Sequence, residues 1–399
     1  MANIAARVAQ LTGEGALAVF TRAKELERQG RSIIHLELGE PDFHPAAPVV
    51  DALRAAVASG RDRYVSTRGL PELRGAIAGY LQRTRKLDVL AEQVLVAPGC
   101  KMALALAMMA LIDPGDEVLY PDPSFPIYPS FTRGLGAKAI SYALLEKNGF
   151  QPDVSEIVGK ISPKTRMLIF NSPNNPTGTV FSEGILAQLA KLAREHDLWV
   201  VADEIYARIL FSGEYKSIWA LPGMAERTVI IDGFSKSFAM TGWRLGYAVA
   251  QKRVIDALDM LVLNTFTCTA EFSQVAAIEA LNDSTHAVPA MVAEYRKRRD
   301  IFVGRLNTIP GFRCQMPEGA FYAWVNIEET GMAAETVQKL LLEEAGVAAI
   351  AGAAFGIEGR SYLRFSLVSA THLLEEALER IQRVSLHWRA TSRTSAVRA

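Results

Sequence analysis

Apolar and polar positions along this chain change their period twice. Between Ala16 and Gly30, Leu17, Phe20, Ala23 and Leu26 fall at helical spacing, which predicts an amphipathic helix ended by Gln29-Gly30. A short apolar strand, Ile33–Leu36, then runs into Glu37-Leu38-Gly39-Glu40-Pro41-Asp42-Phe43, a turn rich in breakers. Helices are predicted over Ala47–Ser59 and Pro71–Thr84, with the loop Arg63–Gly69 between them. From Val94 the rhythm becomes strand and helix in alternation. Seven apolar runs read as strands: Val94–Ala97, Glu117–Tyr120, Ala137–Ser141, Met167–Phe170, Trp199–Ala202, Thr228–Ile231 and Tyr247–Ala250. Helices, including Met102–Ile112 and Glu183–His196, separate several of them. Such alternation predicts an α/β fold built on a mostly parallel seven-stranded sheet covered on both faces. Beyond a long charged helix, Val288–Leu306, the period changes again. Strands at Tyr322–Asn326, Gly346–Ile350 and Tyr362–Ser366 interleave with helices at Ala333–Glu344 and Thr371–Val384, giving a smaller α+β domain. The expected division is 1–45 as an arm and part of the small domain, 46–285 as the large domain, and 286–399 as the small one. The polar tail Arg389–Ala399 is expected to fray.

Composition adds mainly exclusions. Lys+Arg and Asp+Glu both count 43 in 399 residues, so no charge excess points to nucleic acid or an anionic membrane. No apolar run approaches the roughly 18 residues of a membrane span. Cys100, Cys268 and Cys314 lie far apart, without metal-ligand spacing, and favour a reducing compartment. With no apolar leader apparent, the expected location is cytoplasmic, where the sequon Asn282-Asp283-Ser284 is idle.

In a parallel sheet, ligands sit beyond the carboxyl ends of the strands. The segments there are Pro98–Lys101, Pro121–Tyr128, Asn171–Gly178, Asp203–Tyr206 and Gly233–Lys236. Gly13-Glu14-Gly15-Ala16-Leu17-Ala18 matches a loose dinucleotide fingerprint, but no strand precedes it, so it is a decoy. Lys236 follows the run Thr228–Ile231 and sits between Ser235 and Ser237. A lone loop lysine is ordinarily a solvated charge; a desolvated one loses its proton more readily and can form a Schiff base with a carbonyl. Asp203 ends an apolar strand, where an acid is costly unless it meets a positive partner such as a protonated pyridine. Tyr206, three residues on, is placed to reach a neighbouring phenolic oxygen, and Asn175 sits in a rigid Asn-Pro pattern that is either a simple turn or a fixed donor to a ligand oxygen. Gly99, Cys100 and Lys101 precede the Met102 helix, so their N–H groups point out from its N-terminus and attract anions, and Ser235 and Arg244 can join them on a phosphate. Phe125 can stack on a flat ring or fill the core. Arg364, on the strand face opposite Leu363 and Phe365, is either a solvated charge or a clamp for a carboxylate. Jointly these residues form the set that pyridoxal phosphate requires.

The chain resembles the class I/II aminotransferases of the aspartate aminotransferase superfamily, fold type I, from about Ala16 to Val384. The motifs that carry the resemblance are Gly39-Glu40-Pro41-Asp42-Phe43, Asn174-Asn175-Pro176-Thr177-Gly178, Asp203-Glu204-Ile205-Tyr206 and Ser235-Lys236-Ser237 through Tyr247. The resemblance implies that Lys236 carries the internal aldimine and moves the substrate proton. It implies that Asp203 pairs with the ring nitrogen, that Tyr206 and Asn175 bond the phenolic oxygen, and that Phe125 stacks on the ring. Cys100, Lys101, Ser235 and Arg244 would hold the phosphate; Arg364, Asn175 and the Gly39 backbone would hold the substrate α-carboxylate. Tyr64 would reach the phosphate of a neighbouring subunit, which implies a homodimer with shared active sites. The expected reaction moves an amino group between an L-amino acid and a 2-oxo acid.

Glu14-Gly15-Ala16 stands where acidic-substrate members carry hydroxyl residues, and His44-Pro45 where Asp-Thr is common, although Lys101 can still attract a second carboxylate. The lean is towards neutral or broad donors. A β-eliminating C–S lyase on the same fold is the alternative, and a cofactor-sensing regulator a further one.

Overall fold

The computed structural model describes residues 3–13, 15–282 and 285–396. Glu14, and with it part of the substrate argument and of the decoy fingerprint, lies outside the described residues, as do Asp283 and Ser284 of the sequon.

The strands, in chain order, are β1 (Ile34–His35), β2 (Val94–Ala97), β3 (Glu117–Asp122), β4 (Lys138–Ala143), β5 (Thr165–Asn171), β6 (Trp199–Asp203), β7 (Thr228–Gly233), β8 (Gly246–Val249), β9 (Arg313–Cys314), β10 (Tyr322–Asn326), β11 (Val347–Ala348), β12 (Ile350–Ala351) and β13 (Tyr362–Ser366). The first helices are α1 (Gly15–Arg28), α2 (Ala47–Ala58), α3 (Pro71–Arg85), α4 (Cys100–Leu111) and α5 (Ile127–Gly134). Seven strands form one sheet in the order β2-β8-β7-β6-β5-β3-β4. Only β8 runs against its neighbours. Both faces are covered, which is why these strands read as unbroken apolar runs. Alternation sends Ile230 and Tyr247 towards α3 and sends Val229, Ile231 and Ala248 towards α4. All seven strands fall on the predicted segments.

Two glycines let α4 come down onto this sheet. Gly233 and Gly246 face each other across β7 and β8. A Cβ on Gly246 would lie 2.5 Å from the Cys100 nitrogen, and one on Gly233 would lie 2.7 Å from the Cys100 sulfur. Any side chain there would lift the start of the helix.

The C-terminal strands form an antiparallel sheet in the order β12-β13-β10-β9, and β1 pairs in parallel with β11. Ile34 and Leu36 pack into the same core as Phe302, Val325, Leu363 and Phe365. The run Gly346–Ile350, read as one strand, is two. Val347–Ala348 serves β1, and Ile350–Ala351 serves β13. A run buried throughout carries no alternation to mark where the partner changes. Helices at Ile127–Gly134 and Lys252–Leu263 are not singled out by the pattern; the first has Pro129 in its opening turn. The last helix runs on to Ala396, where a frayed tail was expected. Among the described residues, no helix is long and apolar enough to cross a membrane.

His35 supplies a pH test of this packing. Its Nδ1 lies 2.7 Å from Glu37 Oε1 and its Nε2 3.0 Å from Glu27 Oε1, with the Phe20 ring alongside. The Glu37 contact foremost, then Glu27, outweighs partial burial and raises the His35 pKa. A raised folded-state value means the pair stabilises fully below the unfolded value of about 6.5 and loses that contribution as pH rises through the folded value. The gap in melting temperature between wild type and His35→Gln is therefore expected to be widest near pH 6 and to close towards pH 9. A gap independent of pH would contradict this.

Candidate active site

At the carboxyl ends of the parallel strands lies a cavity of about 310 Å3. Its wall brings together every residue given above a part in holding the cofactor or the α-carboxylate except Tyr64, while His44 lies on a separate pocket. Tyr64 is 87% exposed on this chain and lies elsewhere.

Lys236 stands three residues past β7 and is half-buried in the wall. Its Nζ donates to the Gly39 carbonyl. Burial, with the nearby Arg364 and Arg244 charges, lowers its pKa to about 8. Asp203, the last residue of β6, accepts a 2.6 Å hydrogen bond from Tyr128 Oη and a 3.3 Å bond from the Ile205 N–H. Burial raises its carboxyl to about 6, and burial also keeps Tyr128 firmly protonated as the donor. Among the described residues, no cation lies within ion-pairing distance of Asp203.

Arg364 is buried rather than solvated. Nη1 donates to Asn175 Oδ1 at 3.0 Å and Nη2 to the Glu37 carbonyl at 2.5 Å. The Tyr322 and Phe355 rings lie 4.4 and 4.7 Å from the guanidinium carbon. These contacts fix the plane of the fork while the side chain still lines the cavity.

Elsewhere on the wall, hydrogen-bond donors gather at a helix N-terminus. Gly99 has φ +89°, and no side chain caps the helix that starts at Cys100. Arg244, itself at φ +53°, packs so close that a Cβ on Gly99 would meet its Nη2 at 2.5 Å. Ser235 joins Arg244 and the helix N-terminus around the cavity. Nearby, Lys101 Nζ lies 5.5 Å from the centre of the Phe125 ring.

Sequence reasoning missed several residues of the site. Tyr322 Oη is 2.8 Å from Tyr206 Oη. Asn171 joins two loops: its Nδ2 donates to the Asp203 carbonyl at 2.9 Å, and its Oδ1 accepts from the Asn175 N–H at 2.7 Å. Tyr128 follows Phe125 by three residues and was within reach of the pattern. Pairing of Asn171 with Asp203 depends on strand register, which the sequence does not display.

Residues 31–381 match the model of the family "Aminotransferase class I and II". The chain belongs to this family. The aminotransferase is 37% identical over 384 residues to an aspartate aminotransferase of Pyrococcus horikoshii, covering 95% of this chain and 96% of the relative. It is 37% identical to the arginine–pyruvate transaminase of Pseudomonas aeruginosa, covering 93% and 95%. The solved aspartate aminotransferase of Thermus thermophilus with maleate superposes with a TM-score of 0.92 at 37% identity, covering 96% of this chain and all of the other. The aminotransferase has the family's fold type I, uses pyridoxal phosphate and moves an amino group between an amino acid and a 2-oxo acid. These relatives do not favour the C–S lyase reading. The site fits the cofactor: a buried carboxylate with no ion-pair partner among the described residues, a group of N–H, hydroxyl and guanidinium donors, and a lysine with a lowered pKa.

Proposed function

We propose that this aminotransferase takes neutral or broad amino donors, with Arg364 holding the α-carboxylate and Lys236 moving the Cα proton. The observation that carries the reading is the arginine fork and the weakly basic lysine in one cavity. Pyridoxal phosphate, when bound, supplies the carbonyl that takes up the amino group and a ring that withdraws electrons. Arg364 presents its planar fork to the carboxylate, with Asn175 and the Gly39 backbone beside it. At a pKa of about 8, Lys236 holds a useful fraction of free amine near neutral pH, so its Nζ can accept the proton from Cα and return it. Asp203 would offer a negative charge to the ring nitrogen, Tyr206 and Asn175 would serve the phenolic oxygen, and Phe125 would stack on the ring. The Cys100 and Lys101 N–H groups, Ser235 and Arg244 would hold the phosphate.

The donor range is supported by the wall itself, which carries Gly15, Ala16, Leu38, Ala354 and Phe355 alongside Lys101. Steady-state rates with aspartate, alanine and aromatic donors, against 2-oxoglutarate and pyruvate, test it. Comparable kcat/KM for alanine or an aromatic donor is expected, and a strong preference for aspartate would overturn the reading. Tyr64, exposed on the single chain, fits a homodimer with shared sites in which it reaches the neighbour's phosphate. Three free thiols fit a cytoplasmic location. Packing of Ile34 and Leu36 into the C-terminal core supports the division into 1–45, 46–285 and 286–399.

A further inference from the structure

A second polar cluster lies behind the strands that carry Asp203 and Lys236. Arg85, the last residue of α3, donates through Nη1 to Glu204 Oε2 at 2.6 Å and through Nη2 to Asp232 Oδ2. Ser217 Oγ donates to the other Glu204 oxygen at 2.5 Å, and Tyr247 Oη to Asp232 Oδ2 at 2.9 Å. The three charged side chains are 1%, 0% and 4% exposed, and none lines the cavity.

Such a cluster is a poor way to gain stability, because apolar side chains of similar volume usually do as well at lower desolvation cost. Its place in the sheet suggests another use. Asp203 pairs with Ile231, and the Glu204 N–H bonds the Ile231 carbonyl at 2.9 Å. Alternation points Asp203 into the cavity while Glu204 and Asp232 point away from it, to Arg85. Glu204 is the next residue after Asp203, and Asp232 stands four before Lys236. One guanidinium thus ties together the two backbone segments that present the acid and the lysine. It also offsets part of the charge behind Asp203, whose carboxyl is held above its ordinary range by burial first and by Asp232 as well.

We propose that Arg85 is a positioning residue: through Glu204 and Asp232 it sets, from the far side of the sheet, the spacing of Asp203 and Lys236 and the charge behind them. The proposal rests on the site roles given above.

Arg85→Lys keeps a charge but loses the fork, so it tests position. Arg85→Met takes away the cluster's one cation, whereas Arg85→Met with Asp232→Asn also takes away the neighbouring carboxylate that pushes the Asp203 carboxyl up. For Arg85→Lys, kcat is expected to fall about tenfold, within the roughly 10^2-fold that a misplacement of about 1 Å can cost, with KM within about twofold. Cofactor affinity of the apo protein, measured by equilibrium dialysis, is expected to weaken by about tenfold in Arg85→Met and to recover in the double variant. If wild type binds no pyridoxal phosphate, the functional reading itself fails. If wild type binds and turns over, but the variants change only melting temperature, the cluster is a brace and the proposal is wrong. Should Arg85→Met not fold, the kcat and KM of Arg85→Lys decide alone.

Discussion

Lys236→Ala is expected to lose about four orders of magnitude in kcat, the upper end of what a positioned acid–base group contributes. The reason lies in where the lysine sits. It is the cavity-wall amine whose pKa falls to about 8, and its Nζ is anchored on the Gly39 carbonyl. Arginine is no substitute, since a guanidinium does not deprotonate in a protein; Lys236→Arg is expected to be as inactive as the alanine variant. Borohydride reduction followed by mass spectrometry gives a readout apart from turnover. Wild type is expected to retain the cofactor covalently on the peptide with Lys236, and the alanine variant is not. Undiminished turnover in Lys236→Ala, or cofactor trapped on another lysine, would sink the assignment.

Arg364→Leu is expected to lower kcat/KM for amino and oxo acids alike by about 150- to 5,000-fold, the consequence of removing one partner from a desolvated, charge-assisted pair worth roughly 3–5 kcal/mol. Two features make the loss large. The fork is held in plane by Tyr322 and Phe355, and Asn175 and the Glu37 carbonyl lose their donor when it goes. Arg364→Lys keeps the charge without the planar fork and is expected to fall between the two. Cofactor affinity should stay near wild type in both, because the phosphate cradle lies on other elements. A variant that lost cofactor binding and left KM unchanged would assign Arg364 elsewhere.

The large sheet was legible because its strands are buried on both faces and bounded by Gly, Pro and Asn punctuation. Most of the site was legible for a related reason: its residues follow those strands at once, as Lys236 follows β7 and Asp203 ends β6. What escaped the sequence depends on register and long-range packing. Tyr322 opens a strand of the other sheet, and nothing local to it announces that its hydroxyl will meet Tyr206. Asn171 looks like any turn residue until β5 is laid beside β6. Arg85 ends a helix more than a hundred residues before its partners, and at a helix end an arginine ordinarily reads as a surface charge. Gly346–Ile350 was misread for the opposite reason, too uniform a pattern, in which a change of sheet leaves no mark.

The three residues Glu37-Leu38-Gly39 carry a last consequence. The first lends its carbonyl to Arg364 and the third to Lys236. On the roles proposed for these two cations, substrate seating and proton transfer are gauged from a single short stretch of chain. Remodelling this stretch to admit a bulkier donor would re-space both cations together. Affinity and rate are coupled there by construction, and a redesign that must change one alone has to begin on another wall of the cavity.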